Sequence, residues 1–146
     1  MIATIRPDSW NFPLFLHVLG AVLLFGGVAS ISVLSVAGLR VPEHARLLRS
    51  VAFWTTLVLV WPSFVLMRAA AQWILSREGL DDSPPGWVGV GFAVSDVGVV
   101  VLLALTLLGW LSLRRTRAAP WFAGLSVVYL VALVVAWFAM SAKPGG

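Results

Sequence analysis

The stretch SWNFPLFLHVLGAVLLFGGVASISVLSVAGL, residues 9–39, contains no Asp, Glu, Lys or Arg. A helix that crosses the ~30 Å hydrocarbon core of a bilayer needs about 20 mainly apolar residues. This stretch exceeds that length, and three more runs follow it. Residues 50–76 are interrupted only by Arg68, residues 83–113 only by Asp96, and residues 118–142 by no charge at all. In hydrocarbon the backbone must satisfy its own hydrogen bonds, so only helices or closed barrels can span. None of the runs alternates apolar and polar residues with period two, which selects helices. The sequence therefore predicts an all-α fold, a transmembrane four-helix bundle in a single domain over residues 1–146. Its spans are expected at about 12–38, 50–76, 88–113 and 119–141.

Composition agrees with this reading. Apolar residues make up 60% of the chain and charged residues 11%, with a mean hydropathy of +0.98, whereas soluble domains carry about 25% charged residues. The formal charge is +4, but the basic residues are scattered among apolar runs, which argues against nucleic-acid binding. With no Cys in the sequence, disulfides, thiolate nucleophiles and Cys-ligated zinc or iron–sulfur sites are excluded. No Ser-His-Asp order, paired-carboxylate spacing, phosphate loop or HExxH is present.

The connections set an expected topology. Residues 40–49 carry three Arg and one Glu, residues 114–117 carry three Arg, and residues 77–87 carry one Arg against Glu78, Asp81 and Asp82. Lys and Arg flanking spans stay in the cytoplasm, so both termini and the acidic connection are expected on the extracytoplasmic side of the inner cell membrane. Trp10, Trp73, Trp87 and Trp137 fall near the predicted outer ends, and Trp54, Trp110 and Trp121 near the inner ends, as interfacial rings should. Only Trp61 falls mid-span. Ser35-Val36-Ala37 superficially resembles a signal cleavage site, but the preceding apolar run is about twice the length of a signal peptide's core, so an uncleaved first span is expected.

A charge near a bilayer centre costs roughly 2.5–3.5 kcal/mol on insertion scales, which makes intramembrane ionisable residues functional candidates. His17, Arg68 and Asp96 come from three different spans. Counted from the outer ends they lie roughly 8 Å (His17) and 12 Å (Arg68, Asp96) deep at ~1.5 Å per residue, so they are expected to meet in one layer. His17, Gly20, Leu24 and Gly27 recur on one helical stripe, which sets an imidazole above two positions without side chains. That stripe fits either a flat ligand or tight helix packing, and Gly26 with Ser30 forms a further small-xxx-small pair. Pro62 should loosen the helical bond to the Val58 carbonyl and kink the second span. Arg68 and Gln72 share a face, where the guanidinium could hold Asp96 in a buried ion pair or grip a cofactor carboxylate. Met67 and Met140 are candidate soft axial ligands or simple filler. His44, in the basic connection, reads as solvated, and Tyr129, mid-span, as bonded to a carbonyl.

The run Leu16-His17-Val18-Leu19-Gly20 with Gly26-Gly27, and the tail Trp137-Phe138-Ala139-Met140-Ser141-Ala142-Lys143-Pro144, resemble an uncharacterised family of small bacterial four-helix integral membrane proteins. More distantly, L-H-x-x-G on an opening helix is similar to haem-binding membrane bundles, including the membrane-bound protoporphyrinogen oxidase family and copper-resistance D-like proteins. That resemblance implies haem b with His17 as axial ligand and Arg68 on a propionate. The chain departs from the oxidase family in placing Asp96 where that family has a Lys, and it has no second intramembrane His. A sixth ligand would have to come from Met67, Met140 or the His17 of a second protomer.

Two expectations follow. One is a haem-binding homodimer serving electron transfer or redox sensing, with His17, Gly20, Gly27, Arg68 and Gln72 around the cofactor. The other is proton, ion or small-solute transport, or an accessory role in a larger membrane complex, using a buried cluster of Arg68, Asp96 and His17.

Overall fold

The computed structural model describes residues 11–78 and 86–142. Among these the chain is all-helical. Helix α1 runs Asn11–Arg40, α2 Ala45–Thr55, α3 Trp61–Glu78, α4 Gly86–Arg114 and α5 Ala119–Ala142. A π turn, Thr56–Val60, joins α2 to α3 without a break, and 3-10 turns at Pro42–His44 and Thr116–Ala118 lead into α2 and α5. Four helices are long and apolar enough to cross a membrane: α1, the continuous α2–α3 unit, α4 and α5. The second span begins at Ala45, not near residue 50, because Pro42 opens a 3-10 turn that passes directly into helix. Arg46 and Arg49, expected in a connection, therefore lie on the helix itself.

Pro62 shapes that second span. It has no N–H to donate, and a proline ring crowds the preceding turn. The chain absorbs it with a π turn immediately upstream, where the Trp61 amide bonds the Thr56 carbonyl. Such a wide turn amounts to one extra residue in an α-helix. α2 therefore packs against both α1 and α4, whereas α3 lies along α1 with its backbone standing off from α4. α5 closes the bundle between α1 and α4.

The centre is filled by Leu24, Val28, Ile31, Val60, Leu102, Leu105 and Phe122, each at most 1% exposed. Buried hydroxyls turn back on their own helices: Ser32 donates to the Val28 carbonyl (2.8 Å), Thr56 to Ala52 (2.9 Å) and Ser112 to Gly109 (2.7 Å). Ser35 and Ser126 meet at 3.2 Å and tie α1 to α5. Among the described residues no buried side-chain polar atom lacks a partner, which matters more in lipid than in water. The outside is apolar as well. Val33, Val58, Trp121 and Phe138 are exposed, and no more than 28% of any span's most apolar window is buried within the bundle. An apolar surface this extensive needs a hydrocarbon solvent.

Arginines gather at one end. Arg40, Arg46, Arg114, Arg115 and Arg117 are exposed there. Arg49 instead donates through Nε to the Ala45 carbonyl (3.0 Å) and through Nη1 to the Ser112 carbonyl (3.1 Å), binding α2 to the last turn of α4. A cation satisfying a terminal helix carbonyl stabilises that end. The described tryptophans other than Trp61 (Trp54, Trp73, Trp110, Trp121, Trp137) are exposed on the bundle surface, while Trp61 is half-buried and donates its indole N–H to Thr106 Oγ1 (2.9 Å).

Candidate functional site

The polar residues singled out in the sequence lie toward the end of the bundle opposite these arginines. Asp96 is eighteen residues from Arg114 and Arg68 nineteen from Arg49. At ~1.5 Å per residue both stand roughly 27–29 Å along their helices from those arginines.

His17, on α1, meets the second span. Its Nδ1 lies 3.0 Å from the Met67 carbonyl, and since a carbonyl only accepts, Nδ1 carries the proton. Nε2 is the ring nitrogen left out of this bond, the arrangement a metal-ligating imidazole uses. The stripe beneath it decides against a ligand inside the bundle. A Cβ on Gly20 would stand 2.6 Å from the Met67 backbone N and 2.9 Å from its Cα, and a Cβ on Gly27 would stand 2.9 Å from Val60 Cγ2. The space these glycines release is taken by the second span, so Gly20 and Gly27 form a helix–helix seam. Gly26 and Ser30, the small pair the sequence also offered for packing, face outward: nothing lies within 4 Å of a Cβ on Gly26, and the Ser30 hydroxyl bonds the Gly26 carbonyl.

Arg68 and Asp96 do come together. Arg68 Nη2 lies 3.5 Å from Asp96 Oδ1, at the long limit of a hydrogen bond. Arg68 Cζ sits 4.0 Å from the centre of the Phe92 ring, one turn before Asp96 on α4, a cation–π distance. The pair is not the buried cluster expected. The Arg68 side chain is 30% exposed and that of Asp96 73%, because residues 92 and 96 occupy the flank of α4 rather than the face, marked by Gly98, Leu102 and Leu105, that enters the core. His17 is not part of the pair; it is fastened on the α1 side of the same helix turn.

The remaining candidates separate. Gln72 is exposed, and its backbone carbonyl accepts from Ser76 (2.9 Å). Met67 packs partly buried against the core, and the side chain of Met140 lies outside the described residues, as do Trp10 and the side chain of Trp87. His44 is exposed in its 3-10 turn. No hydrogen bond joins the Tyr129 hydroxyl to another described residue; it lies 3.3 Å from the position of a Gly98 Cβ. Among the described residues no group of three or more His, Asp or Glu is placed to hold a metal ion.

A flat macrocycle does not fit these residues within one protomer. The two positions that would cradle it press on the second span, and Arg68 is turned to the other side of that span, onto Phe92 and Asp96. A conduit through the bundle centre is likewise opposed by the close-packed Leu24, Ile31, Leu102, Leu105 and Phe122. Sequence reasoning missed Phe92. The signal was available in its i, i+4 spacing to Asp96, which puts a ring and a carboxylate on one helix face. Comparison with known protein families, curated proteins and solved structures finds no match to this chain.

Proposed function

We propose that the protein is a non-catalytic subunit of the inner cell membrane that assembles laterally, with a second copy of itself, through the flank carrying Arg68, Phe92 and Asp96. The observation that carries this reading is the ion pair set out on the side of the bundle, with the carboxylate side chain 73% exposed. A carboxylate facing lipid costs free energy even near the boundary, and a long, single contact to Arg68 offsets only part of it. A cation and an anion side by side are self-complementary under a two-fold axis, where each Arg68 can take the partner's carboxylate as well as its own. The positive-inside rule places the termini on the extracytoplasmic side, which puts this flank in the outer leaflet.

The test uses charge reversal and mixing. In nanodiscs or mild detergent, light scattering is expected to give a dimer for the wild type and monomers for Asp96→Arg and for Arg68→Asp. Mixing the two variants should restore a heterodimer, since one then presents two cations and the other two anions. A monomeric wild type, or single variants that remain dimeric, overturns the reading. The same preparation, expressed with ample haem, should show no Soret band; a band abolished by His17→Ala would replace this reading with a haem protein.

A further inference from the structure

At the arginine end, on the opposite half of the molecule from the ion pair, α1 and α5 leave a shallow groove of about 390 Å³ that opens sideways, lined by Ser32, Val33, Val36, Ala37 and Val127 with Arg40 at its mouth. We propose that this groove is a binding site for an anionic phospholipid, with the phosphate on Arg40 and one acyl chain laid along α1.

Charge and shape both support that occupant. Ser32, the one hydroxyl in the lining, is committed to the Val28 carbonyl (2.8 Å), so the groove presents hydrocarbon to whatever enters it. From Arg40 to Ser32 is eight residues, roughly 12 Å of helix, which fits within the ~15 Å that one leaflet contributes to the hydrocarbon layer. The face continues smoothly beyond: Gly26, Ser30, Val33, Ala37 and Arg40 recur at helical spacing, Gly26 has open space around it, and the Ser30 hydroxyl is satisfied by its own helix. Arg40 is exposed and has no ion-pair partner among the described residues. Arg115 and Arg117 stand in the turn that leads into α5, the helix forming the other wall, and are exposed as well. Glu43, just past Arg40, is the single acidic residue near the mouth. Basic residues at the cytoplasmic boundary of a span attract anionic headgroups by about 1 kcal/mol each; here one of them shares the lining of an apolar furrow.

The test is lipid retention by native mass spectrometry of detergent-purified protein. The probes are dioleoyl phosphatidylglycerol and dioleoyl phosphatidylcholine at equal concentration. Wild type should retain the anionic lipid in clear preference. Arg40→Gln should lower that retention at least fivefold and leave phosphatidylcholine unchanged, whereas Arg46→Gln, an exposed arginine outside the groove, should have little effect. Ala37→Trp, which fills the furrow, should lower retention of both lipids, and millimolar glycerol 3-phosphate should not compete. Equal losses in Arg40→Gln and Arg46→Gln would overturn the site in favour of diffuse attraction. Competition by glycerol 3-phosphate would overturn it in favour of a headgroup-only contact. Arg40→Gln keeps the test decisive even if Ala37→Trp fails to fold.

Discussion

The second span has two neighbours and meets them in opposite ways. Toward α1 it comes in at backbone distance, because Gly20 and Gly27 leave nothing between the helices: a Cβ on Gly20 would be 2.6 Å from the Met67 backbone. Toward α4 its α3 half is held off at side-chain length by Trp61, Phe64 and Arg68, which reach Thr106, Gly98 and the Phe92–Asp96 flank respectively. Without a hydrophobic force between helices in lipid, close van der Waals approach is the main source of association. The α1 side should therefore hold the fold together, and the α4 side should be the adaptable one, where polar groups reach the surface.

Substitutions can break that contrast. The largest effect is expected from Gly20→Leu, because the obstacle is backbone and neither helix can yield without parting; a loss above the ~1–3 kcal/mol usual for overpacking should follow. Gly27→Ala meets the end of a Val60 side chain and should cost about 1–2 kcal/mol. Gly26→Ala, with open space around it, should be neutral within about 0.5 kcal/mol. Unfolding followed by tryptophan fluorescence in detergent ranks the three, and equal effects would refute the seam. Across the α4 face, Thr106→Val leaves the Trp61 indole N–H without its 2.9 Å acceptor and should cost about 1 kcal/mol in the same assay. As small as Gly26→Ala is the effect expected of Tyr129→Phe. Its hydroxyl bonds no other described residue, so the change should stay within about 0.5 kcal/mol; a penalty above 1 kcal/mol would reveal a partner for the hydroxyl.

The sequence made the four crossings legible because charge-free length is a property of each segment alone. The pairing of Arg68 with Asp96 was legible as well, since both are costly in lipid and of opposite sign. The exposure of that pair was not, because it depends on which flank of α4 turns toward α3, and residues 92–100 are apolar on nearly every side. His17 above Gly20 and Gly27 reads identically as a cradle for a ligand or a slot for a helix. Only the position of Met67, fifty residues away, decides between them. Pro62 announced a disturbance in the second span, yet the form it takes, a wide turn rather than a simple bend, depends on how α2 and α3 are each gripped.

That wide turn has a consequence for how the protein can tolerate change. An α-helix advances about 100° per residue, and the wide turn at Thr56–Val60 takes up one residue more than an α-helical turn while keeping its two flanks in phase. Excising a single amino acid there would return the segment to plain helix, leave a span still ample for the bilayer, and keep Met67 opposite His17 and Arg68 beside Asp96. The same excision between Gly20 and Gly27, where the helix holds no spare residue, would turn one of the two glycines out of its seam. The turn is thus the one place in the second span with chain to lose.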